Sequence, residues 1–581
     1  MFAREECAAP RFKVSDLYVV AGIVFGWTTL ASIVNPIGDM PLNDDGKYAY
    51  AVRSVIETGH LKVSPWGAPN VVSQVYWGAL FCLPHGFSYT ALRLSTLTIA
   101  LVALLALYGL MREAGASSTT ALFGTLVLAF NPLFFELSFT FMTDVPFIGF
   151  TLVALYLLVR GVKRQSRMAV ALGLLAACVA LLTRQTGLAL FFALSFCYLV
   201  KNGLSKRNVV IAAFPTLLGL GVQFSYYTWL KMTGQLFERY GLPVKQELDV
   251  KTAALSHAWT LIRSGAFPLS YLGLFLLPLL VFIGYGRLRD LWRHQKRIAI
   301  VAAAIWCTVS AALVLHGLRM PFVGNVLYDI GLGPALLRDQ LKGLPTAGRA
   351  FMGVVTAISL LAVLLILKAL ISAVSLLVRT RGQHQDLLLL ALTTGFIYFV
   401  PIALLPWPYD RYYLPLVPFV LLVLFVICRQ DEPGSRRWTV AGVLCLSLYG
   451  AFAIAGTHDF LASNRTRWRA LQELTQEKQI APEQIDGGEE FNLSYNSPTQ
   501  DWRVGDNFVV SFSPAEGYVE SERYTFHRWL PPEEGTIFVL RKVPDAQIVD
   551  AWVPHQSLTR QLFSAASAKQ LCSSLNIACV K

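Results

Sequence analysis

The sequence predicts a polytopic α-helical membrane protein of about thirteen transmembrane helices, followed by a small soluble α/β region at the C-terminal end. Three observations predict it. Hydrophobic residues make up 55% of the 581 positions and charged residues 15%, against roughly 25% charged in an ordinary soluble domain; the mean hydropathy is +0.52. The apolar residues gather in runs long enough for a hydrocarbon core of ~30 Å, which takes about 20 residues to cross. Positive charges collect in alternate short loops, the mark of a fixed orientation in the bilayer. The net charge of +13 therefore reports topology rather than a nucleic-acid partner.

Apolar runs lie at 17–36, 89–111, 118–139, 144–161, 167–183, 185–200, 208–230, 265–285, 298–317, 351–378, 386–406, 412–428 and 438–456. Arg4, Arg11 and Lys13 precede the first, which has no small-residue cleavage site and reads as an uncleaved anchor. The stretch 167–200 as one helix would be ~51 Å long, so it breaks at Thr183-Arg-Gln-Thr186. With a cytoplasmic N-terminus, the cytoplasmic loops are 160–167, 201–207, 286–297, 379–381 and 429–437, all rich in Lys and Arg. Fusing the two helices at Thr183 would destroy that bias.

The opposite loops hold Asp44 and Asp45, the turn before Asp144, the turn at Arg184, the loops near 231–264 and 318–350, and Pro406-Trp-Pro-Tyr-Asp-Arg411. An odd number of spans puts residues 457–581 on that same face. The expected division is a membrane part, 1–456, and a periplasmic part, 457–581. The latter opens with a helical stretch, Asn464 to Lys478, and continues with alternating runs at Asn507–Phe512 and Thr536–Leu540, the pattern of half-buried strands. Cys178, Cys197, Cys307, Cys428 and Cys445 fall within apolar runs and read as small hydrophobes; Cys572 and Cys579 are polar-region candidates for a disulfide. No pair of His60, His85, His316 and His458 has metal-site spacing. No cofactor is expected, and the sequence leaves a divalent metal open.

Ionisable groups near membrane depth are expensive to keep. Asp44 and Asp45 follow Pro41 and precede Tyr48; their structural alternative is to cap a helix beginning near Gly46. Asp144, two residues before Pro146, has the same alternative. Arg184 has the alternative of a snorkelling side chain, and Arg411 of a plain ion pair with Asp410. Taken together, carboxylates and separate arginines on one face suit a phosphate-bearing donor and a hydroxyl that must lose its proton. Arginine binds phosphate oxygens through two parallel bonds, and a carboxylate acts as general base.

Three motifs carry a resemblance: Asp44-Asp-Gly-Lys-Tyr48 in the first outer loop, Met142-Thr-Asp-Val-Pro146 in the second outer turn, and Asp410-Arg-Tyr-Tyr-Leu-Pro415 late in the membrane part. In this order and on one face, they resemble the GT-C superfamily of membrane glycosyltransferases, over about residues 15–456. They resemble especially the bacterial branch that looks like lipid A aminoarabinose transferase and protein O-mannosyltransferases. The resemblance implies the GT-C fold and an inverting transferase taking a sugar from a polyprenyl-phosphate donor on the outer face of the inner membrane, with a lipid, glycan or protein hydroxyl as acceptor. It implies a catalytic role for Asp44, a second acidic residue in Asp144 and an arginine near the donor phosphate in Arg411, with Arg184 a looser match; beside these, Asp45 is expected to share the catalytic role of its neighbour and Tyr412 to line the donor-phosphate site. One departure is plain: the aminoarabinose branch has a Lys-Pro-Pro motif after the first acidic pair, where this chain reads Ser64-Pro-Trp-Gly-Ala-Pro-Asn70. The competing classes are a flippase for polyprenyl-linked glycans, which the unequal loops and lack of internal repeats disfavour, and an anchoring protein whose outer part does the binding.

Overall fold

The computed structural model describes residues 13–237, 254–284, 295–332, 336–338, 341–342, 348–379, 385–405, 408–428, 436–495 and 507–543. Among them, nine helices are long and apolar enough to cross a membrane, or ten when Trp259–Phe275 and Leu277–Ile283, bent by 57°, form one span. The thirteen apolar runs fall in helices, while the expected count of about thirteen spans is not confirmed, some of these helices being short. Asn131-Pro132 shows one reason. Proline has no N–H to continue a helix, so α5 (Ser118–Ala129) ends and a short α6 (Pro132–Leu137) begins, with the Asn131 side chain accepting from the N–H groups of Leu133 at 3.0 Å and Phe134 at 3.3 Å.

The first helices in chain order are α1 (Val14–Val34), α2 (Asp45–Thr58), α3 (Val72–Cys82) and α4 (Tyr89–Glu113); α2 and α3, at 14 and 11 residues, are too short to cross and lie in the loop between α1 and α4, the first outer loop of the sequence reading. At the other end of α1, Asp16 is fully buried and accepts from Tyr108 at 2.6 Å, Arg112 at 2.8 Å and Ser118 at 2.8 Å. A buried carboxylate is tolerable when its oxygens are filled in this way, and here it ties α1 to α4 and α5. The hairpin at Arg184 is present. After α7 (Asp144–Lys163), the chain runs through α8 (Arg167–Thr183) and α9 (Leu188–Asn202), and between these two Arg184 adopts extended φ/ψ of −149° and 132°. Gly187 closes the turn, because a Cβ there would sit 2.7 Å from the Leu181 Cα.

The helix Arg436–Gln472 runs unbroken through residue 456 and carries the C-terminal sheet on its far end. Four strands follow the order Ile485–Asp486, Phe508–Ser511, Glu534–Lys542, Tyr518–His527, the first pair parallel and the others antiparallel. Ile537 and Val539, alternate residues of one strand, bury with Val510, Ala470, Leu471 and Leu474 in a small core of their own. The alternation read from the sequence is this pleat. Cys572 and Cys579 lie outside the described residues, as do most of the loops at 286–297 and 429–437.

Candidate active site

The site is built on a loop that α4 holds from beneath. Ser88 accepts from the Thr90 N–H at 3.1 Å and starts α4, placing Arg93 one turn inside. Its buried guanidinium donates to the carbonyls of Pro36 at 3.1 Å, Gly38 at 2.7 Å and Met40. A buried cation is costly unless its donors are used; these fasten the strand of chain that leads into Asp44 and Asp45.

The two aspartates then diverge. Neither capping alternative is realised: α2 starts at Asp45 with Asp44 as its N-cap, and the Asp44 side chain caps nothing. Instead Asp44 accepts from Lys47 Nζ at 2.5 Å and Arg411 Nη2 at 2.8 Å, and its side chain is 23% exposed. Burial alone would raise its carboxyl, but the Arg411 and Lys47 charges outweigh burial and hold it down at about 2. Asp45 turns inward and is fully buried. Its Oδ1 accepts from the Phe141 N–H at 2.7 Å, while Oδ2 has no hydrogen-bond partner among the described residues. Burial pushes this carboxyl up to about 7, against the opposing pull of Arg93 and the Phe141 N–H.

The second outer turn brings the next pair. Arg184 reaches Asp144 with Nη1 at 2.9 Å and donates from Nε to Thr143 Oγ1 at 2.9 Å. Asp144 is fully buried, the first residue of α7, and again not a cap. The late motif completes the group. Asp410 is not the partner of the Arg411 side chain; its carboxylate accepts from the backbone N–H groups of Arg411 at 2.7 Å, Leu327 at 2.8 Å and Val326 at 3.3 Å. That clamp fixes the turn Asp410–Tyr413 and leaves the guanidinium for Asp44. Tyr412 lies between the two arginines, its ring centre 5.7 Å from the guanidinium carbon of each. Asp44, Arg411, Tyr412, Arg184 and Asp144 thus form one continuous chain of contacts, with Asp45 joined to it through the backbone.

Several residues here were not singled out by sequence. Lys47 also pairs with Glu489 of the C-terminal region at 3.0 Å, and Glu490 accepts from the Asn43 N–H at 3.1 Å. Glu136 is fully buried, and among the described residues neither of its carboxylate oxygens has a hydrogen-bond partner. An ionisable residue inside an apolar run was the available signal for Arg93 and Glu136, and a lysine three residues after an aspartate on a helix was the signal for Lys47. Nothing local marks Glu489.

Among the described residues, no group of three or more His, Cys, Asp or Glu side chains is placed to hold a metal ion. Residues 75–228 match the family described as dolichyl-phosphate-mannose-protein mannosyltransferase, a segment that includes Asp144 and Arg184 but neither Asp44 nor Arg411. No curated protein sequence matches the chain. Among solved structures, the chain is similar to ArnT from Cupriavidus metallidurans in its apo state, at 14% identity and TM-score 0.39 over 90% of this chain and 98% of that one. It is similar to the same protein bound to undecaprenyl phosphate, at 13% and 0.39 over 90% and 97%. The oligosaccharyltransferase of Archaeoglobus fulgidus is similar at 14% and 0.42, over 80% of this chain and 58% of that one. The likeness to that family of membrane mannosyltransferases thus lies in residues 75–228, the part of the chain that brings Asp144 to Arg184.

Proposed function

We propose that the protein transfers a sugar from a polyprenyl-phosphate donor to a hydroxyl of a lipid, glycan or protein, with inversion, at the extracytoplasmic face of the inner membrane. The observation that supports this reading best is the contact chain itself. Buried Arg411 and half-buried Arg184 flank one tyrosine ring, and each is paired to an aspartate from a different loop. Two guanidiniums are suited to a phosphate, whose charge grows as the sugar departs. In the reaction, the acceptor oxygen bonds to the anomeric carbon from the face opposite the phosphate, its proton passes to a carboxylate, and the sugar–phosphate C–O bond breaks with its electron pair leaving on the phosphate.

Asp44 is the carboxylate assigned to the acceptor, because it is the more exposed of the pair. While Arg411 and Lys47 hold it, it is a poor base. A donor phosphate that draws those cations to itself restores its basicity, so donor binding precedes acceptor activation. Asp45 is assigned to placing Asp44, and Asp144 to placing Arg184. Residues 457–581 are assigned to the same extracytoplasmic face, where Glu489 and Glu490 meet the first outer loop. The test is sugar transfer from radiolabelled polyprenyl-phosphate sugars in membranes holding wild type or Asp44→Asn at equal protein level. Transfer by wild type that the substitution abolishes is the expected result; donor binding without turnover across donors and acceptor extracts would favour a flippase instead.

A further inference from the structure

Asp45 accepts from the Phe141 N–H at 2.7 Å, and Phe141 is itself held from an unexpected quarter. Gln74, on α3, donates from Nε2 to the Phe141 carbonyl at 2.6 Å. Residue 141 is therefore gripped on both sides, by Asp45 at its N–H and by Gln74 at its C=O. One helical turn further along the same face of α3 stands Gly78, where a Cβ would come 2.6 Å from the Phe141 ring. Helix α3 thus recognises Phe141 at two points, with an amide for the backbone and a missing side chain for the ring. Gln74 is fully buried and its Oε1 has no hydrogen-bond partner among the described residues. Leaving a buried amide half-satisfied costs stability, which is hard to explain by packing alone.

We propose that Gln74 is a positioning residue of the transfer site, holding Phe141 so that its N–H stays on Asp45 and thereby setting the first outer loop, with Asp44, against the second outer turn, with Asp144. The chain of causes is short. Asp45 adjoins Asp44, and Phe141 is three residues before Asp144. Release of residue 141 lets the two ion pairs, Arg411 with Asp44 and Arg184 with Asp144, drift apart, and their common phosphate ligand would then be met by one arginine at a time. The assignment rests on the proposed function only for its effect on transfer; the grip on Asp45 is measurable without substrate.

The measurement is the pH dependence of Asp45 modification by dicyclohexylcarbodiimide, which adds to protonated buried carboxyls, read by mass spectrometry on the full-length protein, with Asp45→Asn as the control for site identity. The charged and titratable groups facing Asp45 are Arg93 and Tyr89 from α4, Asp44 beside it, and Glu136 from α6; none is altered by the variants. Losing a hydrogen bond that favours the charged form raises a carboxyl's midpoint. Folded Gln74→Leu is expected to move the midpoint up by about one pH unit and to lower kcat by roughly tenfold with donor KM changed less. An unmoved midpoint in folded Gln74→Leu overturns the proposal. Should that variant not fold, Gly78→Ala, which presses on the Phe141 ring, decides in the same way. Absence of sugar transfer in wild type would overturn the proposed function and leave the titration result standing.

Discussion

Arg411 Nη2 lies 2.8 Å from Asp44 Oδ2, although 367 residues separate them. The bond joins the loop after α1 to the turn Asp410–Tyr413, and without donor it neutralises the carboxylate proposed to meet the acceptor. Arg411→Lys keeps a charge but loses the planar fork that binds phosphate oxygens in pairs. Donor KM is expected to rise tenfold or more, with kcat/KM for transfer falling about 10²-fold, measured by initial rates over a donor series.

Asp410 acts on the same arginine without touching its guanidinium. Its carboxylate takes three backbone N–H groups, so Asp410→Ala leaves buried donors unsatisfied. A loss of about 2–4 kcal/mol is expected, seen as a lower midpoint of thermal unfolding in detergent. Asp410→Asn, which keeps one accepting oxygen, should fall between the two.

The Lys47–Glu489 bridge should behave oppositely. Glu489 is 66% exposed, and pairs of that kind contribute between zero and about 1 kcal/mol. Glu489→Gln is expected to leave thermal stability within about 0.5 kcal/mol of wild type. It should also reduce the salt dependence of transfer, because the tail no longer competes with substrate for Lys47. An unchanged salt dependence would separate Lys47 from substrate binding.

The two neighbouring aspartates should give opposite pH dependences of stability. Asp44 is held down at about 2 from 3.8, so its contribution is present above pH ~4 and lost as pH falls towards 2. Asp45 is pushed up to about 7 from 3.8, so between those values the native state binds the extra proton and stability declines as pH rises. Asp45→Asn removes that slope. Thermal unfolding from pH 4 to 7 should be flatter in Asp45→Asn than in wild type, with the largest gain at pH 7.

Much of this site is legible in the sequence, and the reason is membrane physics. A charge in or beside an apolar run is expensive, so Asp44, Asp144, Arg184 and Arg411 stand out, and the positive-inside bias puts them on one face. Which charge meets which is not legible. Asp410 and Arg411 are adjacent in sequence, yet the carboxylate binds backbone and the guanidinium crosses to Asp44, because the 326–327 turn arrives from elsewhere in the chain. Gln74 is invisible for a related reason: an uncharged amide in an apolar helix costs too little to attract notice, and its partner is a carbonyl 67 residues away. The break at Asn131-Pro132, which divides one apolar run into two short helices, was likewise not read from the sequence.

The unbroken helix Arg436–Gln472 sets an angular phase between the bilayer and the C-terminal sheet. Asp459 on this helix accepts from the N–H groups of Trp529 at 2.7 Å and Leu530 at 3.0 Å, and two turns on Arg467 pairs with Glu490 at 2.8 Å. A helix turns about 100° per residue. One residue added or removed between Gly456 and Asp459 would swing the whole sheet a quarter-turn around its post and carry Glu489 away from Lys47. A four-residue insertion restores most of the angle and lifts the sheet by about 6 Å. The spacing along this helix is therefore a gear ratio, and the register of the outer region over the site is tuned in whole turns.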